Sequence, residues 1–508
     1  MREARTVASV RSAEQTLMAK LPDGALMQRA AAGIAATCAT ALGSVYGSPV
    51  VVLAGSGDNG GDALYAGARL AGRGAQVTAI AAGNHLHEEA AAALVANGGT
   101  ITAATGGNPD GAAGIAPPAR AALAGARLII DGLTGIGGHG GLREPAAGLA
   151  SLTAQARRNG AFVVGVDLPS GIDADTGEVH GDAVAADLTV TMGTIKPGLL
   201  IDPGAGCAGT VELIDIGLGP YLAAPDVVSL QGADVAALLP EPGAESDKYR
   251  RGVLGLVAGS EQYTGAVVLS CGGAIRGGAG MVRVVSAEHA AEVVRQHWPE
   301  SVITTYDPAC PAEAIETAGR VQAYAVGPGL GTGEAAHALL AAVLGSDVPV
   351  LVDADGLTVL SEHRELLPRD APTLITPHAG ELSRLIGADR ADIEARRLHY
   401  ARAAAAELGV TVLLKGSTTV IAQRDPALPV LVNSTGSSWL ATAGSGDVLS
   451  GLAGAMLAQG LQTALAAAVA AYLHGMAARL AARDAPIGAS DVITAIPAAT
   501  RAVKGNDF

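Results

Sequence analysis

Near the C-terminus the run Ala443-Gly444-Ser445-Gly446-Asp447-Val448-Leu449-Ser450-Gly451 joins a glycine-rich turn to an apolar stretch, with a carboxylate at the junction. Main-chain N–H groups left free in such a turn, at the positive end of a helix, form an anion pocket. Asp447 is the group there that could take a proton from a substrate hydroxyl. The pairing suits chemistry in which a phosphate meets an alcohol. The segment also reads as a tight turn whose aspartate caps a helix.

Five more segments with chemical content precede it, in the order Gly259-Ser260 with Tyr263-Thr264-Gly265-Ala266, then Gly327-Pro328-Gly329-Leu330-Gly331, Asp353-Ala354-Asp355-Gly356-Leu357, Thr376-Pro377-His378-Ala379-Gly380-Glu381 and Lys415-Gly416-Ser417-Thr418-Thr419. Each follows a short apolar run that reads as a strand. Strand-end loops converging on a helix-start anion pocket are the layout of a phosphate-handling site. The chain has only five lysines, so Lys248 and Lys415, both in glycine-containing motifs, stand out; either is also compatible with a solvated surface position.

The first half carries its own set. Gly55-Ser56-Gly57-Asp58-Asn59-Gly60-Gly61-Asp62 follows a strand and opens a helix, without the spacing of a dinucleotide fingerprint or the GK[ST] ending of a phosphate loop. Asp131-Gly132-Leu133-Thr134-Gly135-Ile136-Gly137-Gly138-His139-Gly140-Gly141 and Asp167-Leu168-Pro169-Ser170-Gly171 each begin on a strand-end aspartate. Carboxylate, hydroxyl and amide oxygens placed this way could ring a monovalent cation, since hard cations take oxygen donors. Taken singly, each is also a strand-to-helix turn with Asx capping.

These groups need a scaffold, and the pattern supplies one. Strand-like runs at 50–54, 77–81, 127–131 and 162–167 alternate with helical stretches over 12–42 and 63–71, a loop over 103–118 and a short helix after it. A second series runs through 253–259, 323–327, 350–353, 373–376 and 411–415 and closes on Ala-rich helices over 448–459 and 463–483. Such alternation means βαβ units and mostly parallel sheets. The proline-bearing stretch 221–245 reads as a linker with a helix or strand within it, giving domains at 1–220 and 246–508 with no repeat between them.

Composition narrows the class. With 508 residues, 49% hydrophobic and 16% charged, the chain can bury large cores, but aromatics are 3%, so Ala, Val, Leu and Ile must fill them. A net charge of −15 argues against a general nucleic-acid binder, though not against a phosphorylated small molecule. Cys38, Cys207, Cys271 and Cys310 have neither metal nor disulfide-scaffold spacing, the N-terminus has no signal-type apolar core, and a cytoplasmic protein follows. The apolar stretch 461–482 is interrupted by His474 and Arg479 and reads as a buried helix, not a membrane span.

The first-half set GSGDNGGD, DGLTGIG and DLPSGIDADTG resembles the N-terminal domain of the NAD(P)H-hydrate epimerases. Asp58 stands where that family usually has asparagine, and Ala63 where glycine is common. The resemblance implies a Rossmann-like three-layer αβα domain in which Asn59, Asp131 and Ser170 bind K+. It implies a hydrate site lined by Asp58, Asn59, Gly60, Gly61 and Asp62, by Gly135, Ile136, Gly137, Gly138, His139, Gly140 and Gly141, and by Asp167. Asp167 is the candidate catalytic carboxylate, exchanging a proton during inversion at the hydrated carbon.

The second-half series resembles the ADP-dependent NAD(P)H-hydrate dehydratases, which are ribokinase-like α/β proteins. That implies contacts from Ala266, Gly329, His378 and Asp447 to the hydrate, and from Lys415, Gly416, Ser417, Thr418, Thr419 and Gly446 to the adenine nucleotide. Asp447 would be the catalytic base, with Mg2+ on the phosphates. The implied whole is a bifunctional enzyme, isomerase and lyase, epimerising R and S hydrates of NADH and NADPH and dehydrating the S form with ADP, releasing AMP and phosphate. Its partners would be small molecules (NADHX, NADPHX, ADP), with no nucleic acid or membrane, in a homo-oligomer. The alternative is a ribokinase-like vitamin or sugar kinase with an accessory N-terminal binding domain. That kinase would release a stable phosphorylated product.

Overall fold

The computed structural model describes residues 1–105 and 114–505; the centre of the loop expected over 103–118 lies outside the described residues. The chain forms two compact units, Glu3–Asp226 and Val227–Phe508, the latter joined by Met1–Arg2. A short strand, β1 (Arg2–Ala4), spans that division.

The first unit holds β2 (Pro49–Ala54), β3 (Gln76–Ala81), β4 (Thr100–Ala103), β5 (Leu128–Gly132), β6 (Phe162–Val166), β7 (Leu188–Met192) and β8 (Thr210–Ile214). They form one sheet in the order β4-β3-β2-β5-β6-β7-β8, with every pairing parallel. Val50, Val51, Val52 and Leu53 are buried to both faces, as a central strand covered by helices on each side requires. The order reverses between β2 and β5, and ligands collect at the carboxyl ends of strands at such a switch point. Two helices, Val7–Met18 and Ala25–Leu42, replace the single opening helix expected over 12–42. Pro22 and the left-handed Gly24 (φ 73°) break it between them.

The second unit comprises β9 (Val227–Ser229), β10 (Val253–Val257), β11 (Met281–Ser286), β12 (Val302–Thr305), β13 (Ala323–Val326), β14 (Val350–Val352), β15 (Thr373–Ile375), β16 (Thr411–Leu414), β17 (Thr419–Ala422) and β18 (Val430–Asn433). Their order is β9-β18-β17-β16-β15-β14-β13-β10-β11-β12, and β17 alone runs against its neighbours. Strand β9 and the helix Gly232–Leu238 fall inside 221–245, and both belong to this unit; the division itself lies at Asp226 and Val227. The apolar pairing surface of β9 (Val227 and Val228 buried against β18) draws that part of the expected linker into the sheet.

Two long helices, Ser445–Ala458 and Thr463–Ala482, pack in the core of this unit. The latter is apolar and long enough to cross a membrane by composition, yet Ala466, Ala467, Val469, Ala470, Ala477 and Ala478 are fully buried within the fold. With so few aromatics, closeness replaces bulk. Helix Ser445–Ala458 crosses helix Thr264–Arg276 backbone to backbone: a methyl group on Gly451 would lie 1.8 Å from the Ser270 carbonyl oxygen, and one on Gly273 2.3 Å from that of Val448. Both tryptophans are in this unit, Trp298 bonded to the Val268 carbonyl (2.9 Å) and Trp439 in the short turn Ser438–Leu440 ahead of the glycine-rich turn.

Candidate functional site

In the second unit, strands β16, β15, β14, β13 and β10 are consecutive, so the loops after them gather along one sheet edge. Gly444 takes a left-handed conformation (φ 83°) and caps helix Ser445–Ala458, whose first turn carries Gly446 and Asp447. Gly446 abuts the Lys415 ammonium: a methyl group there would sit 3.5 Å from Nζ. Lys415 Nζ bonds Asp353 Oδ1 (2.8 Å) and lies 3.6 Å from Glu381 Oε2. Burial works against the ammonium, but Asp353, Glu381 and Asp447 outweigh it and hold its pKa above the ordinary lysine value. Burial pushes Asp447 up to about 7, Asp353 adding to the rise and Lys415 opposing it. A carboxylate poised near neutrality beside a fixed cation and a helix start is equipped to accept a proton.

The remaining expected groups divide. Gly329 (φ 61°) and Ala266 lie against each other, a methyl group on Gly329 falling 2.8 Å from Ala266 Cβ. His378 caps helix Ala379–Ile386: Nδ1 accepts from the Gly380 and Glu381 N–H groups at 3.0 and 3.1 Å. Nδ1 is therefore the bare nitrogen and Nε2 carries the proton, in agreement with a pKa lowered by burial and by Lys415 and Arg384. Gly416 and Ser417 are exposed beside the half-buried Lys415, whereas Thr418 and Thr419 are buried and lead into β17.

Three groups outside the expected set hold this site. Asp353 is fully buried and ties Lys415 to the Ser450 hydroxyl. Arg397 is buried under the loop, donating to the carbonyls of Leu414, Lys415 and Thr418 at 3.2, 2.8 and 3.1 Å. His474 bonds the Ser445 backbone, and burial pushes its pKa down to about 4, so it supports the turn as a neutral ring. Asp353 sits inside a recognisable motif; Arg397 and His474 lie in helices whose sequence carries no chemical signal.

In the first unit, the loops after β2, β5 and β6 and the region after β7 enclose a cavity of about 640 Å³. Asp58, Asn59, Asp62, Gly135, Ile136, Gly137, Gly138 and Asp167 line it, together with Arg11, Glu14 and Met192. Gly60 and Gly61 are buried in the helix start instead, where a methyl group on Gly60 would meet the Gly55 carbonyl oxygen at 2.2 Å. His139, Gly140 and Gly141 line a neighbouring cavity of about 520 Å³ that shares Thr134 and Gly138 with the first. Asp58 occupies the first turn of helix Asp58–Ala71, where its charge faces the positive helix end. Ala63 is accommodated because Gly132 stands opposite; a methyl group there would come 2.5 Å from Ala63 Cβ.

Asp167 is buried with φ 64°, an uncommon conformation for a residue other than glycine. Its Oδ1 accepts from the Lys196 ammonium, from Thr191 Oγ1 (3.1 Å) and from the Met192 N–H (3.2 Å). Lys196 is almost fully buried and also donates to Thr191 and the Met192 carbonyl. Sequence reasoning missed Lys196; its rarity and its place just after β7 were the available signals. Asp131, completely buried, accepts from Ser170 N–H (2.8 Å), Ser170 Oγ (2.7 Å) and Leu133 N–H (3.3 Å). Burial pushes it up to about 6 against those bonds, and no basic side chain contributes. Asn59 donates to the Thr134 carbonyl (2.9 Å) and Ser170 Oγ accepts from Thr134 N–H (2.9 Å), so Asn59, Asp131 and Ser170 meet around Thr134.

Two α/β units, one with a glycine-rich helix start at its strand ends and the other with a cavity at its switch point, define a fusion of a ribokinase-like domain with a Rossmann-like one. A family model described as NAD(P)H-hydrate dehydratase matches residues 254–498, and one described as YjeF-related protein N-terminus matches 23–198. The chain is 48% identical to the bifunctional NAD(P)H-hydrate repair enzyme Nnr of Mycobacterium tuberculosis over 92% of both chains. With the enzyme of the same description from Mycobacterium leprae it shares 46% identity over 99% of this chain and 100% of that one. A solved ribokinase-like superfamily protein from Enterococcus faecalis superposes with a TM-score of 0.50 at 25% identity, covering 56% of this chain and 98% of the other. The chain belongs to the bifunctional NAD(P)H-hydrate repair enzymes, an epimerase joined to a dehydratase.

Proposed function

We propose that Asp447 is the base of the dehydratase and that the Gly444–Gly446 turn is its phosphate cradle. The observation that carries this is the Asp447 carboxyl, raised to about 7 at a helix start beside Lys415. Asp447 takes the proton of the hydrate's hydroxyl as its oxygen attacks the terminal phosphorus of ADP, and AMP departs. Main-chain N–H groups of the turn hold the transferring oxygens, each such donor being typically worth about 3–4 kcal/mol in the transition state. The ring nitrogen's lone pair then expels phosphate, and loss of a proton from the adjacent carbon restores the dihydronicotinamide. Ala266, Gly329 and His378, through its Nε2–H, bound the hydrate; Lys415, Gly416 and Ser417 face the nucleotide, with Thr418 and Thr419 shaping the loop from beneath.

Mg2+ would neutralise charge on the nucleotide phosphates. Among the described residues no group of three His, Cys, Asp or Glu is placed to hold a metal, in keeping with an ion carried in largely by the phosphates themselves. In the first unit we assign Asn59, Asp131 and Ser170 to K+, since a buried carboxylate with no basic neighbour among neutral oxygens fits a monovalent cation. Asp167, oriented by Lys196, exchanges the proton during epimerisation. Four unpaired cysteines support a cytoplasmic setting, with small molecules as partners. The Ala-rich helices Ser445–Ala458 and Thr463–Ala482 are spent on the unit's own core, so the contacts of a homo-oligomer would use other surfaces.

Mixed hydrate epimers with ADP and Mg2+ should regain the dihydronicotinamide absorbance and release orthophosphate. Asp447→Asn should abolish that while R–S interconversion persists; a stable phosphorylated hydrate as end product would instead favour the kinase reading.

A further inference from the structure

The helix Val7–Met18 turns Arg11, Glu14, Gln15 and Met18 into the 640 Å³ cavity, the i, i+3, i+4 and i+7 positions of one face. Glu14 has no hydrogen-bond partner among the described residues. The charged groups around it are Arg11 on its own helix, Asp58 and Asp62 on helix Asp58–Ala71, and Asp167 with Lys196 beyond β6 and β7. Asp167 Oδ1 already accepts from Lys196, Thr191 and Met192, three donors that place this carboxylate as a proton acceptor in the cavity. Inversion through C–O cleavage needs a donor for the departing oxygen as well as an acceptor.

We propose that Glu14 is that donor, a catalytic acid sharing the cavity with the base Asp167. The assignment rests on reading this cavity as the epimerase site. Glu14 protonates the hydroxyl on the carbon next to the ring nitrogen, the C–O bond breaks, and water leaves as the nitrogen lone pair forms a C=N bond. Water then adds to the opposite face, its proton passes to Asp167, and the C=N electrons return to nitrogen. Proton exchange with solvent resets the two carboxyls. Burial raises the Glu14 carboxyl above its ordinary range, and Asp167 and Asp58 push the same way while Lys196 and Arg11 oppose them, so the acid form persists at higher pH than in a free glutamate.

The test uses the full chain with K+ present, following R–S interconversion above the uncatalysed rate in H2(18)O, with ADP-driven dehydration of the same preparation as the check that the chain is folded. Wild type should take 18O into the hydroxyl as it inverts. Glu14→Gln should lower kcat for inversion and 18O uptake together by at least about 100-fold, with KM changed far less, and Glu14→Asp should recover part of the rate. Glu14→Gln within about threefold of wild type, while Asp167→Asn is inactive, overturns the role of Glu14 and leaves the site reading intact. Full activity in Asp167→Asn overturns the site reading itself. Inversion without 18O uptake in wild type overturns C–O cleavage and with it the donor.

Discussion

Burial lifts the Asp447 carboxyl while Lys415, itself held by Asp353, draws it down, and the balance at about 7 has two measurable consequences. kcat/KM for dehydration should rise with pH through about 7, as the carboxyl loses its proton and becomes a base. Stability should move the other way. The folded chain keeps a proton that an unfolded aspartate gives up near its ordinary pKa, so this group's contribution falls as pH climbs from the unfolded value towards 7 and is level above it. Asp447→Asn should therefore be the more stable protein at pH 8, by about 1–4 kcal/mol in urea titrations. Lys196→Met leaves Asp167 buried without its counter-charge; a loss of about 3–5 kcal/mol is expected, with epimerisation lost and no rescue by arginine, whose fork does not fit three separate oxygens at one ammonium position.

Glycines decide the larger geometry. Gly451→Ala would drive a methyl group into the Ser270 carbonyl where helices Ser445–Ala458 and Thr264–Arg276 cross, so thermal unfolding of the second unit should reveal a loss of about 2–3 kcal/mol or more, and dehydration should fall with it because the same helix carries Asp447. The motifs after β10, β13, β14, β15 and β16 were legible because strand-end loops concentrate Gly, Asp, His and Lys, and the short-range pattern survives in the sequence. Asp167 was legible for the same reason, and Asp447 because a glycine-rich turn leads into its helix. Arg397, His474 and Glu14 were not: each comes from a helix whose sequence looks ordinary, and only the folded packing brings it to the site, while Lys196 offered just its rarity and its place after β7. The linker reading over 221–245 failed to anticipate how much of it is used, since β9 is too short to show a period and pairs with β18, some two hundred residues away. Thr418 and Thr419 read as ligand contacts from their motif, but β17 begins there and pulls them inside.

At the scale of the molecule, the proposed sites would make the two units answer to different ligands. On the proposed K+ assignment, the cation would compete with a proton for Asp131, whose carboxyl is raised to about 6. Replacing choline chloride by KCl should thus raise the melting temperature of the first unit more at pH 7.5 than at pH 5, and Asp131→Asn should abolish the difference; an equal shift at both pH values would remove the assignment of the cation to that carboxylate. The poverty in aromatics has an optical corollary. Because Trp298 and Trp439 both reside beyond Val227, light absorbed at the red edge of the protein spectrum excites the dehydratase half alone, and the epimerase half, with tyrosines such as Tyr46 and Tyr65, stays dark. Emission would then report melting of one half against a circular dichroism signal from both, and Trp439, part-exposed just ahead of the cradle, would serve as a built-in lamp for nucleotide arrival without any dye.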